Sequence, residues 1–186
     1  MNTLSETRSS ILSRMVVNAP NQELGRTKVM RLFYFLQELK GVPLGYDFRL
    51  FTYGPFQSEV LSDLSSACSA GAVNEQTKIY PRGYGYLITP GTHAERLSRE
   101  LENNDRELST KVDEVVQEFG SFNAAELELL STISFVDREW KQAGTMTAEE
   151  QLVDRVHEIK PHFTKPTILE RVREMVTKGW LTVFNP

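Results

Sequence analysis

A run of large apolar residues between positions 29 and 39 constrains the fold of this chain more than any other feature. The apolar positions recur at helical spacing, and further bulky side chains widen the stripe beyond the single face of a surface helix. Such a helix has to be packed on more than one side, so we predict a central helix over residues 23–40, ended by Gly41 and Pro43. The stripe contains Val29, Leu32, Phe33, Leu36 and Leu39, and it is widened by Met30, Tyr34 and Phe35.

Two further helices are predicted around the central one. Thr3 and Glu6 form a capping-box pattern before apolar residues at helical spacing, which predicts a first helix over 4–17. Gly54 and Pro55 have the order that opens a helix, so we expect a third helix from Pro55 towards residue 71.

Strands are predicted on both sides of this third helix. Aromatic residues alternate over 46–52, which indicates a short strand or extended segment. Residues 73–80 and 84–89 are predicted to be strands joined by a Pro-Arg-Gly turn. The order of helix, helix, strand, helix and hairpin is typical of a winged helix, a helix-turn-helix variant whose hairpin is the wing.

The rest of the chain is charged and helical. A helical stretch over 92–119 is predicted to break near Asn103-Asn104, and later helices are predicted to start at Asn123, Thr147 and Thr164. The fold class is therefore mainly α with a small β component. We expect a winged-helix-like module over 1–91 and a helical segment over 92–186, either separate or packed onto the first as one domain.

Charge is distributed unevenly along the 186 residues, whose net charge is -4. Residues 1–49 carry +3 and residues 91–186 carry -6. An anionic partner would therefore meet the N-terminal part. The candidate contacts for an anion or a partner are Arg26, Lys28 and Arg31 at the start of the central helix, joined by Arg8 and Arg14. Alternatively, the first three form a solvated face with a salt bridge to Glu23.

The predicted third helix is a poor DNA-reading element. No Lys or Arg occurs from Leu50 through Thr77, whereas Glu59 and Asp63 are present. Phosphate neutralisation supplies much of the affinity for DNA, so this helix is predicted to repel a duplex. The wing offers only Lys78 and Arg82 as contacts.

Residue patterns typical of enzymes are missing from the sequence. His93, His157 and His162 do not have the spacing of a metal site, and no nucleophile elbow or phosphate-binding loop is present. We therefore expect no catalytic, cofactor-binding or metal-binding residues, no cofactor and no small-molecule substrate. The single Cys68 and the lack of a long apolar segment predict a cytoplasmic protein with no membrane contact.

The stretch GRTKVMRLFYFLQELKGVPLGYDFRLFTYGPFQSEVLSDL resembles the YwgA-like family of bacterial proteins and, more distantly, the Panacea antitoxin domain. The shared features are a basic-apolar helix, a Gly-x-Pro-Leu link, an aromatic strand and a Tyr-Gly-Pro turn. The downstream ELELLSTISFV, EEQLVDRVHEIKPHFT and Gly-Trp-Leu stretches extend the resemblance over most of the chain. It implies a winged-helix-like or helical bacterial protein, and the Panacea likeness suggests neutralisation of a toxin through protein contacts.

The expected function is therefore that of a non-enzymatic regulatory or protein-interaction protein, either antitoxin-like or an adaptor, with another protein as partner. The alternative is a winged-helix transcriptional regulator that binds DNA through the N-terminal basic patch. Trp140, Trp180 and Phe184 are candidate interface aromatics, although Trp180 and Phe184 suit closure of the core better. The sequence leaves the partner's identity and the oligomeric state open.

Overall fold

The computed structural model describes residues 4–81, 83–144 and 148–182, and for Tyr80 the backbone only. The described chain is mainly helical with a small sheet component, which confirms the predicted fold class. It divides into two compact units. The first comprises Met1–Phe48 and Gln57–Ala124, and the second comprises Arg49–Phe56 and Ala125–Pro186.

The first unit contains five helices and a three-stranded sheet among its described residues. Strand Gly83–Pro90 lies in the middle and pairs antiparallel with both others, so Val73–Tyr80 and the very short Leu24–Gly25 are the two sheet edges. A single 3-10 turn, Pro20–Gln22, separates the first helix from the first strand. The elements are α1 (Leu4–Asn18), β1 (Leu24–Gly25), α2 (Arg26–Glu38), α3 (Ser58–Ser69), β4 (Val73–Tyr80), β5 (Gly83–Pro90), α4 (Ala94–Asn104) and α5 (Arg106–Phe119).

The second unit consists of a short hairpin and three helices among its described residues. The hairpin pairs Arg49 with Phe56 and Phe51 with Gly54 in antiparallel register. We call residues Arg49–Phe56 the aromatic hairpin. The elements are β2 (Arg49–Phe51), β3 (Gly54–Phe56), α6 (Ala124–Gln142), α7 (Glu149–Ile159) and α8 (Lys165–Thr177).

Helix α2 is the packing centre of the first unit, as its wide apolar stripe predicts. Every residue from Val29 to Leu36 is buried. The ring of Phe35 stacks on that of Phe119 with the centroids 4.0 Å apart and the planes at 17°. The helix is thus contacted along its whole apolar surface, and most of its aromatic bulk is structural.

Residues 41–49 form an extended link whose burial alternates strictly. Val42, Leu44, Tyr46 and Phe48 are buried, and the residues between them are exposed. The predicted alternation is therefore correct, but only Arg49–Phe51 belong to a strand. The link is fixed instead by side chains: Gln37 accepts from the Tyr46 amide at 2.9 Å and donates to the Tyr46 carbonyl at 2.9 Å.

Local signals placed several elements correctly. Helix α1, the hairpin of β4 and β5, and the break between α4 and α5 lie where the sequence predicted them. Asp105 makes that break and caps α5 by accepting from the amide of Leu108 at 2.9 Å. Thr164 caps α8 as expected. Thr3 and Thr147, proposed as caps, lie outside the described residues.

Two predictions about short elements were wrong. Pro55 does not open a helix. It lies in β3, and α3 begins at Ser58 with the side chain of Gln57 as its cap. Strand β1 was not predicted, because two residues carry no periodicity of their own and are held by pairing with Leu87 and Ile88.

The predicted boundary at residue 91 also differs from the division of the chain, since α4 and α5 lie in the first unit.

Candidate functional site

Arg8 is buried inside the first unit rather than presented on a basic surface. Its guanidinium donates to the carboxylates of Glu59 at 2.5 Å and Asp63 at 3.0 Å and to the carbonyl of Leu44. It also lies over the ring of Tyr46, 4.0 Å from the centroid. Arg8 is only 4% exposed, and these four residues satisfy its charge. It thereby joins α1 to α3 and to the extended link.

Tyr46 completes this cluster from the link side. Its hydroxyl donates to Asp63 at 2.7 Å. Burial, helped by the hydrogen bond to Asp63, raises the pKa of Tyr46 well above its ordinary value. Asp63 therefore accepts from both Arg8 and Tyr46, which fixes one face of α3 against the rest of the unit.

Arg14 is likewise buried and paired. Its guanidinium forms a two-pronged contact with Asp113, at 2.7 and 2.6 Å, and a further hydrogen bond of 3.2 Å to Glu102. The hydrogen bond to Asp113 is the main reason that the pKa of Arg14 is raised. The charge of Arg14 thus holds α1 to α4 and α5.

Arg26 is only partly exposed, and its guanidinium contacts the hairpin of β4 and β5. Both of its hydrogen bonds to Glu75 measure 2.6 Å, and its guanidinium lies 3.4 Å from the ring centroid of Tyr86. A cation at a helix N-terminus opposes the helix dipole. The carboxylate of Glu75 offsets that cost and raises the pKa of Arg26.

The remaining two basic residues of the predicted patch have structural places as well. Lys28 donates to the carbonyl of Gly120 at 2.7 Å, and Arg31 is 3% exposed. A shared exposed surface of all five residues, the first interpretation of this cluster, is therefore wrong for Arg8, Arg14 and Arg31, because each is buried. The alternative salt bridge of Arg26 to Glu23 is replaced by the pair with Glu75.

The hairpin of β4 and β5 has an apolar tip. Ile79 and Tyr84 are register partners across the hairpin and are 86% and 71% exposed. The ring of Tyr84 also meets that of Tyr86 edge to face, with the centroids 6.0 Å apart. Lys78 is exposed on the opposite face of β4, and Arg82 lies outside the described residues. The hairpin of β4 and β5 is therefore attached to α2 by Arg26 and ends in large apolar side chains.

The three candidate interface aromatics do not form an exposed cluster in the described structure. Trp180 is 7% exposed, and its backbone amide donates to the Met175 carbonyl at 2.9 Å after the end of α8. The next residues are held by Asp137, which accepts from the amide of Thr182 at 3.0 Å. Trp180 therefore closes the core of the second unit, Trp140 is half-buried, and Phe184 lies outside the described residues.

Exposed aromatics of the second unit lie instead on the aromatic hairpin. Phe51 is 57% exposed and Tyr53 is 73% exposed, at and beside the turn that joins β2 to β3. The ring of Phe51 meets that of Phe56 edge to face, 5.6 Å between centroids. Gly54 has φ near +104°, which suits glycine and lets the chain turn tightly after Tyr53.

A buried lysine holds the aromatic hairpin. Lys160, which follows α7, is 2% exposed, and its ammonium donates to the backbone carbonyls of Phe51 and Thr52. It also forms an ion pair of 2.9 Å with Glu128 of α6, whose carboxylate is mostly buried. A charge-assisted contact to two consecutive carbonyls fixes the turn of a hairpin that would be marginal by itself.

His162 lies at the edge of this arrangement. Its Nε2 is 3.4 Å from the same Glu128 carboxylate, and its ring packs on Phe163 with the centroids 4.3 Å apart. His157 contacts the carbonyl of Phe163 through Nδ1 at 2.8 Å. Both histidines therefore shape the turn between α7 and α8, next to Lys160.

Sequence reasoning missed the role of Lys160 and Glu128. Neither stands in a recognisable motif, and Lys160 contacts residues 108 and 109 positions away. The usable signal was the alternation over 46–52, which directs Tyr46 and Phe48 inward and leaves Phe51 on the other face. Exposure of Tyr53 had no sequence signal beyond its place beside a glycine turn.

Within residues 4–81, 83–144 and 148–182, no group of three or more His, Cys, Asp or Glu side chains is arranged to hold a metal ion. In the same residues no helix is long and apolar enough to cross a bilayer. No protein-family model matches the chain, and no curated protein matches it significantly. The resemblance to YwgA-like proteins therefore stays a prediction.

Proposed function

We propose that this chain is a non-enzymatic regulatory protein that works by binding another protein, with the tip of the aromatic hairpin as its contact surface. The observation that carries the proposal is that two aromatic residues, Phe51 and Tyr53, are exposed on a turn that the buried ammonium of Lys160 fixes. The resemblance described above supports an antitoxin-like or adaptor role in the bacterial cytoplasm.

Exposed aromatic side chains gain no burial from the fold, but they offer binding energy to a partner. Large apolar side chains in water contribute nothing to the fold, and clusters of them mark contact sites. Aromatic anchors are enriched among the residues that dominate binding energy at interfaces. A rigid anchor binds more tightly than a mobile one, because less conformational entropy is lost on association. Lys160 supplies that rigidity to the aromatic hairpin.

Electrostatics support a protein partner over DNA. Arg8, Arg14 and Arg26 are each neutralised by carboxylates of the same chain, so none offers an unopposed charge to phosphate. Helix α3 contributes Glu59 and Asp63 and has no basic residue. Releasing any of the three arginines for DNA would break charge-assisted hydrogen bonds that it already makes within the chain, and this loss offsets the gain from a phosphate contact.

A second candidate, DNA binding, is favoured by topology. The order α1-β1-α2-α3-β4-β5 with the sheet order β1-β5-β4 is the arrangement expected of a winged helix. One feature departs from it: the 19 residues from Leu39 to Gln57 separate α2 from α3, in place of a turn of three or four. DNA binding would then rely on Lys78 of the wing.

The test compares three forms of the full chain as baits in lysate of the cells that produce it. The double variant Phe51→Ser/Tyr53→Ser removes both anchors, and Val176→Ser removes a 41% exposed apolar side chain from α8 of the same unit as a matched control. A partner retained by the wild type and by Val176→Ser, but lost at least tenfold from the double variant, is expected. Equal recovery by all three baits would contradict the proposal.

The DNA alternative is tested by fluorescence anisotropy with duplexes drawn from the promoter regions around the gene, measured across a salt series. We expect only weak binding with little salt dependence. Salt-sensitive, nanomolar binding to one duplex that is lost in Lys78→Ala would favour the second candidate instead.

A further inference from the structure

Strand β4 is an open sheet edge. Among the described residues, the order β1-β5-β4 leaves one side of β4 without a neighbouring strand, and its eight residues, Val73–Tyr80, make it far longer than β1 at the other edge. From Asn74 to Ile79 every side chain except that of Glu75 is exposed. An edge of this length presents a row of backbone donors and acceptors to its surroundings.

The ladder itself shows which residues face outward. Gly91 donates to the carbonyl of Ala72 at 3.3 Å, and these two residues continue the register in which Val73 pairs with Pro90. Hydrogen-bonded pairs alternate along antiparallel strands. The backbone groups of the even-numbered residues of β4 therefore point to β5, and those of Glu75, Thr77 and Ile79 point to the open edge.

The usual protections of an edge strand are scarce here. β4 contains no proline, and its register with β5 runs without a bulge from Val73 to Tyr80. Its two charged residues are Lys78 and Glu75, and Glu75 is engaged by Arg26. Natural edges are commonly blunted by charges, prolines or bulges; within β4 the exposed charge of Lys78 is such a device, and the remaining backbone can still pair with another strand.

We infer that this strand is a second copy of the chain, and that two β4 strands pair antiparallel about a twofold axis at Thr77 to give a continuous six-stranded sheet. The inference is independent of the proposed function, which uses the aromatic hairpin. The inference rests on the register, because a twofold axis allows few pairings of β4 with the same strand of a second copy.

Symmetry and charge restrict the position of the twofold axis along β4. A twofold axis perpendicular to the sheet pairs residues of the same face, so outward-facing odd residues meet each other. Centring on Glu75 or on Lys78 places like charges directly opposite, which is unfavourable. Centring on Gln76 brings Ile79 opposite Val73, which is fully buried.

Centring on Thr77 uses only residues from Glu75 to Ile79, of which all but Glu75 are exposed. It places Thr77 opposite its symmetry mate, a favourable cross-strand pair, and Ile79 opposite Glu75 of the second copy. Lys78 then lies opposite Gln76, so no two like charges face each other. One exposed side of Ile79 would be covered in this way.

The contact involves one strand from each copy, so we expect a weak, concentration-dependent dimer with a dissociation constant in the micromolar range. Sedimentation velocity of the full chain over a concentration series measures it directly. Dimerisation is the expected result. A wild-type chain that remains monomeric up to about 1 mM would overturn the inference.

Two pairs of variants test the edge and its register. Thr77→Pro removes an outward-facing amide without touching the bonds to β5, and it should abolish the dimer, whereas Thr77→Val keeps the amide and should retain it. Ile79→Glu puts a carboxylate opposite Glu75 and should weaken the dimer at least tenfold, whereas Ile79→Lys puts a cation there and should not. Equal dimerisation of Ile79→Glu and Ile79→Lys would refute the Thr77-centred register.

Cross-linking provides an outcome that does not depend on any loss of folding. In a Cys68→Ser background, Thr77→Cys places two thiols at the axis, and mild oxidation should produce a disulfide-linked dimer. Asn74→Cys is the control, because its symmetry mate lies six positions away along the strand, roughly 20 Å. Equal cross-linking at both positions would contradict the proposed pairing.

Discussion

Replacing Lys160 by Met is expected to destabilise the second unit strongly. Lys160 is 2% exposed and its partner Glu128 has a side chain 13% exposed, so the substitution leaves a buried carboxylate without its main counter-charge. Breaking a buried pair from one side costs about 3–5 kcal/mol. The carbonyls of Phe51 and Thr52 also lose their donor, at about 1 kcal/mol each where water does not replace it. We therefore expect a loss of at least about 3 kcal/mol.

Two further variants separate the charge effect from general damage. The double variant Lys160→Met/Glu128→Leu removes both charges, so it should recover to within about 1–2 kcal/mol of the wild type. Lys165→Met is the matched control, because the Lys165–Asp154 pair has side chains 54% and 57% exposed. Its loss should be below about 1 kcal/mol.

Urea denaturation followed by tryptophan fluorescence measures these effects where they are expected. Both tryptophans, Trp140 and Trp180, belong to the second unit, so their emission reports the unfolding of that unit. Hydrogen exchange of the hairpin amides should accelerate in Lys160→Met. A loss for Lys160→Met no larger than that for Lys165→Met, or a double variant as unstable as the single one, would refute the reasoning.

Three other outcomes follow from the first unit. Burial raises the pKa of Tyr46, so only the unfolded chain ionises this residue near pH 10. The free energy of unfolding should therefore fall as the pH rises above about 10, and it should fall less steeply in Tyr46→Phe, as urea midpoints measured across pH would show. Burial likewise raises the pKa of the Cys68 thiol, so its reaction with a disulfide reagent at pH 8 should be slower than that of a free thiol and should match it only after denaturation. Arg14→Met should cost about 1–2 kcal/mol, because the charge-assisted hydrogen bonds of a buried guanidinium are lost while Asp113 and Glu102 stay solvated, against less than about 1 kcal/mol for Arg96→Met, whose pair with Glu100 is exposed; equal losses in thermal unfolding would contradict the structural role of Arg14.

Features of the fold that depend on neighbouring residues were predictable from sequence. The stripe from Val29 to Leu39 identified the central helix, and Thr164 marked the start of the last helix, because these signals act over three or four residues. The hairpin of β4 and β5 was predictable because its turn connects adjacent segments.

Features that depend on distant partners were not predictable. The burial of Arg8 and Arg14 results from carboxylates 51 to 99 positions away, and a count of local charge treated both as available cations. The sequence predicted a short strand or extended segment over 46–52 but not the hairpin that follows it, because the turn of that hairpin is held by Lys160 far along the chain. Composition predicts how many charges a surface has, but the fold decides which of them are already paired.

A photo-crosslinking amino acid at position 51 tests the central proposal most directly. The account predicts a discrete covalent product with one other protein when Phe51 is replaced by benzoylphenylalanine in the producing cells. The same replacement at Val176 should yield no such product. Absence of a protein adduct at position 51, or an adduct with nucleic acid in its place, would contradict the account.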